Sequence, residues 1–369
     1  MIIKYFTMGF RVARLFKISS IFSRNLNTNC NKDKELWDAF RSCLYKSLKK
    51  QKFQPGNKVS IVGTGSVGMS CAITLLSKRI TNNIALYDIN KKLSNSEHLD
   101  LLHGSWFLND AHIEQCGGKI EATKDSRVVV VTCGPRQKPG ESRLDMAQKT
   151  AVIIRSIMPD LVKQSPEAVY IVVCNPADVM TWLARKVTNL PYERCFSTGC
   201  LLDTARFRLF IAQILGVATS SVYGYILGEH GDSSVPLWSS VTVGGVCLQN
   251  FLPTIGTDKD PMQWSTVHKH VVRSAYEVVE GKGYTNWALG VCVAHIVSAI
   301  FENSNRIMPL STNAAGLCGI KEEVFLSLPC IVNECGLCGI VRPILSNWEK
   351  TSLKKSADKL LEAQHGIQL

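Results

Sequence analysis

The chain has 369 residues, of which 46% are hydrophobic, so it is long enough to bury two domains of ordinary size. Its net charge is +12, but residues 1–50 hold 11 Lys and Arg against three acidic residues and so carry +8 of that total. The charge on the rest of the chain is ordinary for a globular protein. The sequence also contains no RNA- or DNA-reading motif, which argues against a nucleic-acid partner. No stretch reaches the roughly 18 uncharged apolar residues of a membrane helix, so we expect no membrane association.

The N-terminal extension, residues 1–32, contains six basic residues and no acidic residue. This composition is typical of a mitochondrial transit peptide, so we expect mitochondrial import. The alternative is a disordered basic tail on a cytoplasmic protein. Residues 33–57 follow as an N-terminal arm, with a short charged helix predicted over 33–55 and ended by Pro55-Gly56.

The next part of the chain alternates between strand-like and helix-like patterns. Four short β-branched runs lack polar alternation: VSIV (59–62), IALYD (84–88), VVVVTCG (128–134) and VYIVVCNP (169–176). Helical patterns lie between them, at 67–79 and 142–163. Strands of this kind are buried on both faces, as in a parallel sheet covered by helices. We therefore predict an α/β fold, a doubly wound Rossmann domain over 58–200.

The second half of the chain has a different pattern. Helices are predicted at 203–215, 264–281, 285–303 and 346–364, with short strands and glycine turns over 306–341. This indicates a mixed α/β domain over 201–369, which we predict to be the substrate domain.

A glycine-rich turn follows the first strand of the predicted sheet. Gly63, Gly65 and Gly68 form a GxGxxG pattern, with Ser66 and Val67 inside it, between strand 59–62 and a helix. Glycines allow a tight turn and let a pyrophosphate approach the helix N-terminus, where amide N–H groups are unpaired. Asp88 ends the next strand, where a carboxylate accepts hydrogen bonds from a ribose diol and repels a 2′-phosphate. This combination predicts NAD as the cofactor.

NAD implies hydride transfer, and hydride transfer to or from a carbonyl also requires a proton carrier. Histidine suits this role because its unperturbed pKa lies near neutrality. His230 in GEHGDSSVP is a candidate, although on its own it is more typical of an ordinary surface loop than of a catalyst. Asp203 and Arg206 in LLDTARFR lie one helical turn apart, and Arg136 and Arg143 lie in PRQKPGESR after the third strand. A carboxylate to orient the histidine and arginines to clamp an acid are thus all present.

The 14 cysteines are scattered through apolar runs, which suits buried thiols in a reducing compartment. The one CxxC pattern, at 335–338, has no second cysteine or histidine pair near it in sequence. We therefore expect no metal, and a glycine turn between two strands there.

Several motifs recur in order from about Lys58 to the C-terminus: GTGSVGM, RQKPGESR, CNPAD, LDTARFR, GEHGDSSVP, KGYTNWA and LKKSAD. With them the chain closely resembles the NAD-dependent L-lactate dehydrogenases of the lactate/malate dehydrogenase superfamily. The resemblance implies a Rossmann domain with an α/β substrate domain, a homotetramer, and a place in pyruvate and lactate metabolism, glycolysis or fermentation.

The resemblance also implies roles for individual residues. His230 resembles the acid–base catalyst, Asp203 the carboxylate that orients it, and Arg206 the clamp on the substrate carboxylate. Arg143 resembles the arginine on the mobile loop that polarises the ketone. The remaining matches are Asn175, shared between nicotinamide and substrate, Thr285 beside the substrate, and Arg136 at a cofactor phosphate.

Gln137 is the most informative residue for the choice of substrate. Malate dehydrogenases resemble this pattern but carry arginine at this position, where it pairs with a second carboxylate. A neutral glutamine accommodates a methyl group and leaves a dicarboxylate unpaired in a closed site, at high cost. We therefore expect reversible oxidation of L-lactate to pyruvate. The alternatives are malate or another 2-hydroxy acid as substrate, or a catalytically weak NAD-binding relative.

Overall fold

The computed structural model describes residues 30–52, 54–115, 118–135 and 143–367, with the main chain alone described for 30–35 and 143–145. The chain divides into two compact units, residues 1–47 and 48–369. The first contains helix α1 (Cys30–Leu44) and strand β1 (Tyr45–Ser47). The helix predicted over 33–55 was therefore wrong in its second half. Tyr45 favours extended backbone, and the helical pattern gave no sign of this local preference.

The N-terminal part of the second unit is a set of parallel strands connected largely by helices. Its elements are β2 (Val59–Val62), α2 (Ser66–Ser77), β3 (Asn83–Tyr87), α3 (Lys91–His103), β4 (His112–Gln115), β5 (Val128–Val131), α4 (Arg143–Gln164), β6 (Val169–Val172), α5 (Ala177–Thr188) and β7 (Cys195–Ser197). The strands lie in the order β4-β3-β2-β5-β6-β7 and all pair in parallel. This is the strand order of the dinucleotide-binding doubly wound sheet, with its switch point between β2 and β5.

The C-terminal part of the unit continues the same sheet with antiparallel strands and adds helices and short strands. Its elements are α6 (Leu201–Leu215), β8 (Val222–Tyr223), β9 (Ile226–Leu227), β10 (Val235–Pro236), β11 (Thr242–Val243), β12 (Val246–Cys247), α7 (Ser265–Lys282), α8 (Trp287–Phe301), β13 (Arg306–Asn313), β14 (Phe325–Asn333), β15 (Gly336–Val341) and α9 (Asn347–His365). Strand β13 joins the parallel sheet by pairing Ser311 with Ser197 of β7, and β14 and β15 follow as an antiparallel extension.

The sheet is buried because helices cover it, as its uninterrupted apolar runs require. All four residues of β5, VVVV, are completely inaccessible to solvent, and so are Ile61 and Val62 of β2. The predicted fold class is therefore confirmed: a Rossmann doubly wound sheet with a mixed α/β part. The predicted domain boundary at residue 200 lies within the second unit and stays a prediction. Among the helices that the structure describes, none has the length and apolarity to cross a membrane.

Candidate active site

The turn between β2 and α2 requires glycine for two different reasons. Gly63 has φ +98°, and a Cβ there would lie 2.8 Å from the Cys133 nitrogen. A Cβ on Gly68 would lie 1.9 Å from the Gly63 carbonyl oxygen, because the first turn of α2 packs directly against the end of β2. A Cβ on Gly65 would instead meet nothing within 4 Å. The turn is therefore packed tightly against the protein and open at Gly65.

The open position lies at the N-terminus of α2. Gly65 is the N-cap residue and contributes no side-chain hydrogen bond to the first-turn amides. Asp88, at the end of the neighbouring strand β3, accepts hydrogen bonds from the Thr64 N–H and the Asn90 N–H, both at 2.8 Å. These bonds hold the carboxylate beside the turn with lone pairs left to accept further bonds. The residues present therefore fit a dinucleotide, with a pyrophosphate over Gly65 and a ribose diol at Asp88.

His230 lies in the loop between β9 and β10, which we call the histidine loop (residues 228–234). The two strands that flank this loop pair in antiparallel fashion, Leu227 with Val235. Its Nδ1 is 2.6 Å from Oδ2 of Asp203, which stands in the first turn of α6. Arg206 donates from Nη1 to the other oxygen of Asp203 at 3.1 Å. The imidazole is 29% exposed, and its second ring nitrogen makes no hydrogen bond to any described residue.

Charge is arranged so that the histidine holds a proton. Burial by itself would raise the pKa of Asp203, but His230 and Arg206 outweigh burial and lower it. Asp203 raises the pKa of His230 to about 9, against the opposing effect of burial. The result at neutral pH is an imidazolium held by a buried carboxylate.

The histidine loop is also held at its main chain and its flanks. The His230 N–H donates to Oδ2 of Asp178 at 2.8 Å. Glu229 accepts from the Ser233 N–H at 3.1 Å and from Nζ of Lys359 in α9 at 2.9 Å. Glu229 therefore connects the histidine loop to itself and to α9. The sequence did not predict that Asp178 and Lys359 contact this loop, because neither lies near the histidine in sequence.

A second histidine lies close to this cluster. Nε2 of His268 in α7 is 2.9 Å from the Ser234 hydroxyl oxygen. Burial lowers the pKa of His268 to about 4, so this ring is neutral at physiological pH. The two imidazoles therefore differ in charge state: at neutral pH the His230 ring is protonated and the His268 ring is not.

The cluster borders a cavity of about 410 Å³. Its lining includes Asn175, Asp178, Asp203, His230 and, from the C-terminal helix, Lys359. Asn175 precedes Pro176 with a cis peptide bond between them. The cavity is therefore formed by the end of β6, the histidine loop, α7 and α9 around one polar centre.

The other predicted site residues have different outcomes. Arg206 is connected to the His230–Asp203 pair by its hydrogen bond to Asp203. Thr285 is half-buried just before α8 and does not line the cavity. Arg136 and Gln137 lie outside the described residues. Arg143 is the first residue of α4, one turn before Met146 and Ala147 of the cavity lining, and its side chain is not described. Within the described residues no group of three or more His, Cys, Asp or Glu could hold a metal ion.

Comparison with known proteins places the chain in a family. Residues 57–197 match the family model of the lactate/malate dehydrogenase NAD binding domain, and residues 200–367 match that of the lactate/malate dehydrogenase alpha/beta C-terminal domain. The L-lactate dehydrogenase B chains of Bos taurus, Homo sapiens and Macaca fascicularis are each 47% identical over 313 residues, 85% of this chain and 93% of the relative. The chain belongs to the lactate/malate dehydrogenase family. It is an NAD-dependent oxidoreductase, and the resemblance drawn from its motifs is confirmed.

Proposed function

We propose that the protein is an L-lactate dehydrogenase that interconverts L-lactate and pyruvate, with His230 as its acid–base catalyst. The observation that carries this proposal is the His230–Asp203 contact of 2.6 Å at the wall of the cavity. A buried carboxylate on Nδ1 fixes the imidazole orientation and stabilises its charged form. The names of the relatives, all L-lactate dehydrogenase B chains, support the same substrate pair.

In the direction of pyruvate reduction, NADH held at the glycine-rich turn and Asp88 would supply the hydride. His230 carries the proton: its protonated ring donates from Nε2 to the carbonyl oxygen as that oxygen gains charge, and lactate forms with a hydroxyl group. Asp203 remains ionised and keeps Nδ1–H directed at Oδ2 throughout. In the reverse direction neutral His230 accepts the hydroxyl proton.

Arg206 is proposed to clamp the substrate carboxylate. One guanidinium N–H is used on Asp203, and an arginine has five N–H donors, so a bidentate pair with a carboxylate remains available. Arg143 is proposed to polarise the ketone oxygen, with Asn175 and Thr285 beside the substrate. These assignments follow the family pattern, and Asn175 is supported by its position in the cavity lining.

Gln137 supports pyruvate over oxaloacetate, because an uncharged amide leaves a second carboxylate without a partner. The test is steady-state oxidation of NADH by the purified full-length protein with pyruvate, oxaloacetate and a bulkier 2-oxo acid in parallel. We expect pyruvate to have the highest kcat/KM. A preference for oxaloacetate would replace the substrate assignment, and NADH binding without turnover of any 2-oxo acid would reduce the protein to a cofactor-binding relative.

We further propose a homotetramer, as the family resemblance implies. Sedimentation of the active protein tests this, and a folded, active monomer would contradict it.

Import into mitochondria is proposed from the acid-free composition of residues 1–32, which lie almost entirely outside the described residues. A fluorescent reporter fused behind residues 1–32 should localise to mitochondria, and the same fusion with Arg11 and Arg14 changed to Glu should not.

A further inference from the structure

Asp178 is a buried carboxylate that the proposed mechanism does not use. It stands in the first turn of α5, three residues after Asn175, and is only 2% exposed. One oxygen, Oδ2, accepts the N–H of His230 at 2.8 Å. The other, Oδ1, is buried without a hydrogen-bond partner among the described residues. Burying an ionised carboxylate in this setting is costly unless a neighbouring charge or hydrogen bond stabilises it.

The neighbours of Asp178 explain why its charge is tolerated. From the histidine loop, His230 favours the ionised form and Glu229 opposes it. From β13, the Ser311 hydroxyl also favours the ionised form without reaching hydrogen-bond geometry. Burial dominates and raises the pKa of Asp178 to about 6, so the carboxylate is still ionised at neutral pH. Its place in the first turn of α5 adds the favourable end of the helix dipole.

We infer that Asp178 is a positioning residue for His230: it fixes the histidine main chain and supplies a second negative charge that helps the ring hold its proton. The first carboxylate, Asp203, holds the ring from α6, and Asp178 holds the peptide from α5. His230 is thus fixed at two points by two separate helices. This inference rests on the proposed function, because it assigns His230 the role of proton carrier.

The charge and the hydrogen bond are separable by substitution. Asp178→Asn keeps the size of the side chain and an oxygen acceptor for the His230 N–H but removes the charge. Asp178→Ala removes both and leaves the His230 N–H buried without a partner. Asp160→Asn, a change of an exposed carboxylate on α4, is the matched control for the loss of one negative charge.

The experiment is an NMR titration of the His230 ring in full-length protein, assigned by the resonance missing from His230→Gln. We expect Asp178→Asn to lower the pKa of His230 by on the order of one unit, because an ionised neighbour stabilises the imidazolium, and Asp160→Asn to leave it unchanged. For Asp178→Ala we expect a loss of about tenfold or more in kcat, with KM for NADH changed by less than about twofold.

An unchanged His230 titration in Asp178→Asn overturns the inference, whatever Asp178→Ala does. If Asp178→Ala fails to fold, the Asp178→Asn titration still decides the question. If wild-type protein turns over no 2-oxo acid, the proposed function fails, but the titration continues to test whether Asp178 controls the proton on His230.

Discussion

The cofactor turn, the glycine-rich turn of residues 63–68 between β2 and α2, and the histidine loop lie in the same unit and follow strands, but they are held in different ways. The turn depends on glycines, which have no side chain: Gly63 and Gly68 allow close backbone contacts, and Gly65 leaves space open. The histidine loop depends on charged side chains from distant elements, with Asp178, Asp203 and Lys359 converging on it. We conclude that substitutions in the turn act through volume, whereas those around the loop act through charge.

The largest effect is expected at the histidine. His230→Ala should lower kcat for pyruvate reduction by about 10²–10⁴-fold, because the proton donor is removed. The cofactor turn is untouched, so the Kd for NADH should remain close to that of wild type. Steady-state kinetics together with NADH titration check both parts. A large loss of NADH affinity would show that the two regions are not separable in this way.

The next effect concerns substrate choice. Gln137→Arg should shift the ratio of kcat/KM for pyruvate and oxaloacetate toward oxaloacetate by on the order of 10²–10³-fold. The new guanidinium would pair with the second carboxylate and would lie unpaired over the methyl group of pyruvate. Competition between the two substrates measures this ratio. An unchanged ratio would mean that residue 137 does not face the substrate, and the substrate assignment would lose its main support.

A smaller effect distinguishes two glycines of the turn. Gly65→Ala should raise the Kd for NADH by about tenfold, or about 1.4 kcal/mol, with the melting temperature unchanged, because its Cβ occupies open space needed by the cofactor. Gly63→Ala should instead destabilise the fold by about 1–3 kcal/mol, because φ is positive and the backbone of Cys133 is too close. Thermal unfolding and NADH titration of both variants make the comparison. Equal melting temperatures for both variants would contradict it.

The sequence predicted the parts of the molecule whose signals are local. Strand β2 was placed at its observed bounds, and the GxGxxG turn with Asp88 could be interpreted from one short segment. His230 alone gave no such signal, and only the order of motifs along the chain separated it from an ordinary loop residue. Asp178 lies in the CNPAD motif, but its role could not be predicted, because its partner is a backbone N–H 52 residues away that no side-chain pattern records.

The central claim, that His230 carries the proton, is tested most directly by the pH dependence of kcat/KM in both directions. The pKa of His230 is raised to about 9, and pyruvate reduction requires the protonated ring. Reduction should therefore be constant below pH 9 and fall by about tenfold per pH unit above it, whereas L-lactate oxidation should rise toward pH 9 and then level off. Profiles that rise and fall together, or that have no shared midpoint, would contradict the account.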